Sequence, residues 1–595
     1  MSTHVKQSPS EDSSSQGWAG STIAVLIVVV GILAVLKITN KLDLAGVVAP
    51  LLVPAVVAAL IPRQHGWKVR VPLAVMAALF ALFVQRMWPA AKEAVEGAEA
   101  VSEPKNLLTW LIGLPMLGAV AILFLPRQAP RLLKATTLIV MLGTLAASLP
   151  LLRVTYGREF HFNEDVVWIE RFGIHYHVAI DGITLWLVML TTFITPVAAY
   201  ASFGSINTRI KDWCFALLLL EAAMIGAFVS LDLFLFYVFW ELMLIPMYVM
   251  IGVWGGTNRI KSAIKFFLYT MFGSVLMLAA ILYLAYSYSR LAGHPSFDYF
   301  ELQRVLTPRS VQLWLFGAFA LSFLIKVPMF PVHTWLPDAH TEAPTAGSII
   351  LAAVMLKMGT YGYLRFCMGL FPEASSELAA TLGGVAVLGG IIYGALCAWR
   401  QDDVKRLVAY SSVAHLGYVM LGLFACTQSS LEGAVLQMVN HGLVVVPAFL
   451  IVAMISERTG SEELGPMGGL AKKAPVFAVI FLIVSMATLA IPASANFIGE
   501  FFILNGLFQV DAAWAIVASV GVALAAFYAL RMYQLTMHNP LPDGSDSKEI
   551  SLRDALVVIP MVAIVVVLAF CPQLIIHGSE PAVDSSIQVV KEVAE

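Results

Sequence analysis

The stretch Leu324–His340 reads LIKVPMFPVHTWLPDAH, and its lysine decides how the chain is read. Lys326 closes an uncharged run, VQLWLFGAFALSFLIK, just before two prolines, Pro328 and Pro331, that interrupt a helix. The surroundings are unusually apolar: of 595 residues, 59 % are hydrophobic and only 12 % charged. The mean hydropathy is +0.84. A soluble domain carries roughly 25 % charged residues. Apolar runs long enough to cross a ~30 Å hydrocarbon layer recur along most of the chain. The fold class expected is an all-α polytopic membrane protein.

Hydrophobic runs predict about 17 spans of ~20 residues each. Three early runs, 22–38, 45–62 and 70–88, follow a polar tail at 1–21. The others lie near 107–125, 133–152, 178–202, 213–230, 232–254, 262–288, 311–340, 345–371, 379–399, 404–425, 432–456, 474–508, 512–533 and 554–575. Two of these are interrupted: 311–340 at Pro328 and Pro331, and 474–508 around Pro492 in SMATLAIPASANFIGEFFIL. Discontinuous helices at matching places in two halves mark midplane ion or substrate sites. The loop 153–177 alternates in part (VTYGREFHFNEDVVWIE) and predicts a short surface hairpin. No long amphipathic helix is expected after the last span, where 576–595 reads as a tail.

Basic residues recur in loops 126–134, 206–212, 255–261, 400–406 and 457–473, alternating with loops poorer in positive charge. That places both the basic loops and the amino terminus on the cytoplasmic side, with the carboxyl terminus outside. The net charge of −2 argues against a nucleic-acid partner. The five cysteines (214, 367, 397, 426, 571) are scattered, with no C-x-x-C spacing, and no phosphate-binding glycine motif follows a strand. No cofactor or metal is expected in this chain.

The ionisable residues inside apolar runs are the candidates for function, since each costs about 2.5–3.5 kcal/mol to insert. They are Glu221, Glu241, Lys265, Lys326, Lys357, His415, His441 and Glu500. A buried lysine beside a movable carboxylate can hold or release a proton, and histidine titrates near neutral pH. The set therefore suggests a buried proton wire. Lys265, one turn after Lys261, reads as a snorkelling or accessory cation. Glu221 and His441 read as accessory or packing groups, and Asp181 and Asp232 as boundary residues.

The segments FWELMLIPMY, LIKVPMFPVHTWLPDAHTEAPTAGS, MLKMGTYGYLRF, VKRLVAYSSVAHLGYVM and ANFIGEF resemble the antiporter-like subunits of respiratory complex I. The M type, counterpart of mitochondrial subunit 4, is the most similar. In that family the broken second helix carries glutamate in M and lysine in the L and N types, and this chain has Glu500. The resemblance covers 107–575. It implies a fourteen-helix core with two inverted five-helix repeats, the three early spans (22–106 with their linker) being additional.

It further implies that Glu241 pairs with Lys326, that Lys357 relays, that His415 extends the wire and that Glu500 ends it. Lys265, Glu221 and His441 are accessory in this reading. NADH, FMN, iron–sulfur clusters and quinone would belong to partner subunits, with L-type and N-type neighbours in a bacterial inner membrane. One departure is local: IPASANF stands where the family often has an IPGTSGF-like sequence. Two other readings use the same residues. One is an Mrp-type sodium/proton antiporter or membrane-bound hydrogenase subunit. The other is a scaffold whose buried charges only tie helices together.

Overall fold

Helices dominate because long apolar stretches in hydrocarbon must satisfy every backbone N–H and C=O internally. The computed structural model describes residues 103–595, apart from 306, 466, 541–547 and 595. The three early runs at 22–88 lie outside the described residues. Among the described residues, 12 continuous helices are long and apolar enough to cross a membrane.

The order is α1 (Leu107–Phe124), α2 (Pro130–Ser148), the hairpin β1 (His161–Ile169) and β2 (Ile174–Ile180), α3 (Gly182–Ser202), α4 (Ile210–Val229), α5 (Leu233–Trp254) and α6 (Arg259–Ala292). Then follow α7 (Arg309–Lys326), α8 (Trp335–Glu342), α9 (Thr345–Leu370), α10 (Pro372–Arg400), α11 (Val404–Ala425) and α12 (Gln428–Thr459). The chain closes with α13 (Pro475–Thr488), α14 (Ala495–Val510), α15 (Ala512–Met537), α16 (Leu552–Phe570) and α17 (Gln573–Ala594).

Acidic and hydroxyl caps set many of the starts. Asp181, Asp232, Asp403, Ser494, Asp511 and Ser551 each accept a first-turn N–H, and Thr427 forms a reciprocal box with Ser430. Asp181 and Asp232 thus sit at helix starts, as expected of boundary residues. The interior is built on α9, α11 and α12, whose most apolar windows are 100 %, 94 % and 94 % buried. Outer helices expose large apolar side chains instead, including Phe124, Phe272, Trp314 and Ile516, a surface suited to lipid or neighbouring protein.

Both expected interruptions are present. The first lies between α7 and α8, directly after Lys326, and the second between α13 and α14. Freed backbone carbonyls at the first break are taken by side chains: Trp335 Nε1 donates to Ile325 O at 2.8 Å, and Lys265 Nζ donates to Thr334 O at 2.7 Å. At the second, Asn440 Nδ2 donates to Ala495 O at 2.7 Å. The departure IPASANF has a conformational consequence there. Ala493, within it, adopts φ 71° and Ala490, just before it, φ 57°, left-handed conformations that cost an L-residue roughly 1–2 kcal/mol each.

The segment read as a tail is different. Residues 573–594 form α17, a 22-residue helix that buries Ile575, Ile576, Ala582, Val583, Ile587 and Val590 on one face. It packs against α3, α10 and α12. Its polar face lowers its mean hydropathy, so a search for uninterrupted apolar runs passes over it, although the 3.6-residue period is present.

The expected hairpin is an antiparallel pair running from His161 opposite Ile180 to Ile169 opposite Ile174. It is fastened by His177, whose Nδ1 lies 2.5 Å from Asp298 Oδ2 and whose Nε2 lies 2.9 Å from Asn163 Oδ1. Both ring nitrogens face acceptors, which suits the doubly protonated ring. Burial opposes the charge, but the Asp298 hydrogen bond and the Asp298, Asp165 and Asp232 charges outweigh it and raise the pKa. Because the folded pKa is raised, this tie is complete below the unperturbed value of about 6.5 and is lost as pH climbs through the folded value. Amide hydrogen exchange of β2, corrected for intrinsic rates, is expected to quicken at alkaline pH in the native protein and not in His177→Gln. Equal pH response in both would sink the assignment.

Candidate functional site

The buried ionisable groups come from helices that close approaches hold together. A Cβ on Gly433 of α12 would fall 2.7 Å from Ile503 N and 2.8 Å from Gly499 O of α14. One on Gly442 would fall 2.9 Å from Ala353 O of α9. Only hydrogen fits at such contacts, so backbones meet closely and short polar side chains reach across.

The result is a connected line of side chains. Lys357 is fully buried on α9. Its Nζ donates to Ala352 O at 2.7 Å, within a widened π-type turn at Leu351–Met355, and meets His441 Nδ1 at 2.6 Å. The His441 ring lies 5.6 Å from the His415 ring, centroid to centroid. His415 Nδ1 is 2.6 Å from Glu500 Oε1, and Tyr528 O–H stands 3.2 Å from His415 Nε2. Gln437 Nε2 donates to the same Glu500 oxygen at 3.1 Å. His415 thus has a carboxylate at Nδ1 and a phenol at Nε2.

Lys326 is also buried, but it is not ion-paired. Its Nζ lies 4.5 Å from the Trp240 ring centroid, a separation typical of a cation–π contact. The Glu241–Lys326 pairing implied by the resemblance is not a direct contact: among the described residues no ion pair within 4 Å joins them and Glu241 is half-buried, but its carboxylate is the charge that acts on Lys326. Lys326 ends α7 with its ammonium over the Trp240 ring, which packs edge-on against Phe323.

Lys265 is tied to the segment after the first break. Its Nζ is 2.7 Å from Asp338 Oδ2 as well as from Thr334 O, and Arg406 meets the other Asp338 oxygen at 3.2 Å. Lys405 Nζ adds bonds to Thr341 O and Ala343 O at 3.2 and 2.6 Å. The short helix α8 is therefore pinned by cations from α6 and α11. Glu221 is fully buried and accepts from Thr195 Oγ1 at 2.6 Å, while its Oε2 has no partner. It stands apart from the line.

Several residues were given a smaller part in the sequence reading or escaped it. His441, read as accessory, is the link between Lys357 and His415. Arg365, inside the quoted MLKMGTYGYLRF, forms a buried ion pair with Asp181. A charged residue in an apolar run was the available signal. Tyr528 and Gln437 carry no such signal, since uncharged polar residues are common in spans. His333 and His340 are buried with both ring nitrogens unpartnered, and His340 stacks on Phe449 at 5.0 Å. Among the described residues, no group of three or more His, Cys, Asp or Glu is arranged to hold a metal ion.

Residues 230–525 match a family described as NADH:quinone oxidoreductase/Mrp antiporter, TM. The chain is 41 % identical over 500 residues to NADH-quinone oxidoreductase subunit M of Rhodobacter capsulatus, covering 81 % of this chain and 97 % of that one. It is 38 % identical to NADH-ubiquinone oxidoreductase chain 4 of Marchantia polymorpha, covering 81 % and 97 %. A chain of respiratory complex I from Thermus thermophilus with bound NADH superposes with a TM-score of 0.74 at 27 % identity, over 81 % of this chain and 99 % of that one. A chain of the Mrp complex from Dietzia sp. shares the fold, with a TM-score of 0.71 at 19 % identity, over 82 % and 100 %.

Proposed function

The chain belongs to the subunit M family of NADH-quinone oxidoreductases, and on that premise we propose that it translocates protons through Lys357, His441, His415 and Glu500. The observation that supports this most directly is the run of buried side chains from Lys357 to Glu500, hydrogen-bonded at either end with the His441 and His415 rings 5.6 Å apart between them. Lys357 hands a proton to His441 at Nδ1. A histidine that gains a proton on one nitrogen can release one from the other, and His415 is the next titratable ring. His415 Nδ1 faces Glu500 Oε1 at 2.6 Å.

Lys326, facing Trp240 near Glu241, is the input switch. Its charge in the aromatic cluster responds to any movement of Glu241, and a change there biases Lys357. Asp338 with Lys265, Lys405 and Arg406 holds the short helix that follows Lys326, and Glu221 is an accessory carboxyl. Moving one charge against 100 mV costs about 2.3 kcal/mol, so an exergonic partner reaction is required. Partner subunits carrying FMN, iron–sulfur clusters, the NADH site and quinone would supply it. L-type and N-type neighbours would flank the chain in a bacterial inner membrane, basic loops and amino terminus inside and carboxyl terminus outside. The finer architecture in this reading is seventeen spans, two inverted five-helix repeats and three added spans at 22–88.

Native membrane vesicles carrying wild-type protein or Lys326→Ala, with assembly verified, test the switch. NADH oxidation and proton uptake are followed together while sodium is varied. NADH-driven uptake is expected to fall at least tenfold in Lys326→Ala. Unchanged uptake would make Lys326 structural, and uptake that tracks sodium would favour an antiporter.

A further inference from the structure

α10 carries none of the ionisable residues of the proposed wire, yet its middle departs from α geometry. Residues Ala386–Ile392, AVLGGII, form a π-type turn, a rare conformation that holds an extra residue and concentrates at functional sites. Two adjacent glycines, Gly389 and Gly390, lie inside it, although glycine is a poor helix former. Leu388 faces outward, 55 % exposed, while both glycines are buried.

The buried side of the turn touches three other parts of the molecule. A Cβ on Gly389 would fall 2.5 Å from the Cβ of Phe330, within the first helix break. One on Gly390 would fall 3.0 Å from Gly417 Cα of α11, and one on Gly417 would fall 2.9 Å from Ile391 N. One turn further along, a Cβ on Gly394 would fall 3.0 Å from Ala414 N. Ala414 and Gly417 flank His415. On the remaining side, Gly521 of α15 leaves room only for the Ile391 side chain. Phe330 is held in turn by Tyr393 of α10, edge to face with ring centroids 5.3 Å apart. Lys326 stands four residues before Phe330, and His415 two before Gly417. The turn thus joins the switch to the wire by a route that bypasses Lys357.

We propose that the π-type turn of α10 passes a displacement of the first helix break to His415, with Gly389 and Gly390 as positioning residues. This rests on Lys326 acting as the input switch. At Gly390 and Gly417 backbone lies against backbone, and the Phe330 Cβ that meets Gly389 cannot rotate away as the end of a side chain can. Phe330 therefore cannot advance on α10 without moving Gly389, nor Gly390 without moving Gly417. Packed interfaces of this kind shift between discrete arrangements rather than yielding gradually. The extra residue of the turn supplies the second arrangement, the bulge carried one position along α10. His415 then moves relative to the His441 ring and Glu500 Oε1, the two groups it links.

Hydrogen–deuterium exchange reports local opening segment by segment. Read by mass spectrometry on the assembled complex, with and without NADH turnover, it tests the route beside protons translocated per NADH. Peptides over 324–336 report the break, and those over 408–420 report α11. The variants are Gly389→Ala, Lys357→Ala and, as control, Gly383→Ala, whose added carbon meets only Leu421 Cδ1 at 3.9 Å. Wild type and the control are expected to change their exchange in both regions on turnover. Gly389→Ala is expected to keep the change at the break and to lose at least threefold of that in α11. Its protons per NADH should fall at least threefold, with uncoupled NADH oxidation preserved. Lys357→Ala is expected to keep both exchange changes. If Gly389→Ala fails to assemble, Gly390→Ala replaces it, since its added carbon meets Gly417 Cα at 3.0 Å and asks for a smaller shift. An α11 response absent from wild type, undiminished in the glycine variant or lost in Lys357→Ala overturns the α10 route and leaves the switch standing. No response at the break in wild type removes the switch itself, and the route with it.

Discussion

His441→Leu is expected to stop NADH-driven proton uptake as fully as Lys357→Ala, by about 100-fold or more, the scale at which positioned proton-transfer groups act. Leucine is close to histidine in bulk, so the buried position stays filled while the acceptor for Lys357 Nζ disappears. Lys357 then keeps only Ala352 O, a group that cannot take its proton. Two residues acting as one relay are not additive, so Lys357→Ala with His441→Leu should pump no worse than either alone. Vesicle uptake measured beside uncoupled NADH oxidation separates the wire from the assembly. Uptake within a few-fold of wild type in His441→Leu would reduce the Lys357–His441 contact to a tie between α9 and α12.

Arg365→Ala carries the largest expected effect on stability. Arg365 and Asp181 have side chains 8 % and 3 % exposed, and their ion pair joins α9 to the start of α3. The guanidinium also lies 4.9 Å from the Phe160 ring and 5.6 Å from that of Tyr361. Removing one member of a buried pair strands the other's charge and costs about 3–5 kcal/mol. The same principle states that replacing both members by apolar groups of similar volume is far milder. Arg365→Ala should therefore leave little subunit in membranes at growth temperature, whereas Arg365→Met with Asp181→Leu should recover much of it. Quantitative immunodetection against thermal challenge checks both. Equal amounts in Arg365→Ala and wild type would show that the pair is solvated and weak.

The hydrophobic runs, both helix breaks and the set of intramembrane charges were legible in the sequence because each is a local property. Lys326 before Pro328 announces itself without knowledge of any other helix. Pair identities were not legible. Asp181 and Arg365 are 184 positions apart and Lys357 and His441 84 apart, and which groups meet depends on which faces of distant helices are pressed together. Lys265 illustrates the limit. Its spacing from Lys261 suggests a cation reaching for water, and only the fold of the next interrupted segment brings Asp338 and the carbonyl of Thr334 within reach. α17 was missed for a different reason: its signal lies in periodicity, and the strong signal in this chain is total apolarity.

The ring face beneath Lys326 has an optical consequence. Only the ammonium form is attracted to an aromatic quadrupole, so a neutral amine loses its reason to lie against Trp240 at 4.5 Å. An indole with a unit charge over its face absorbs and emits at different wavelengths from one without it. If turnover discharges Lys326 as proposed, each cycle would be written into the near-ultraviolet spectrum of a single tryptophan, Trp240.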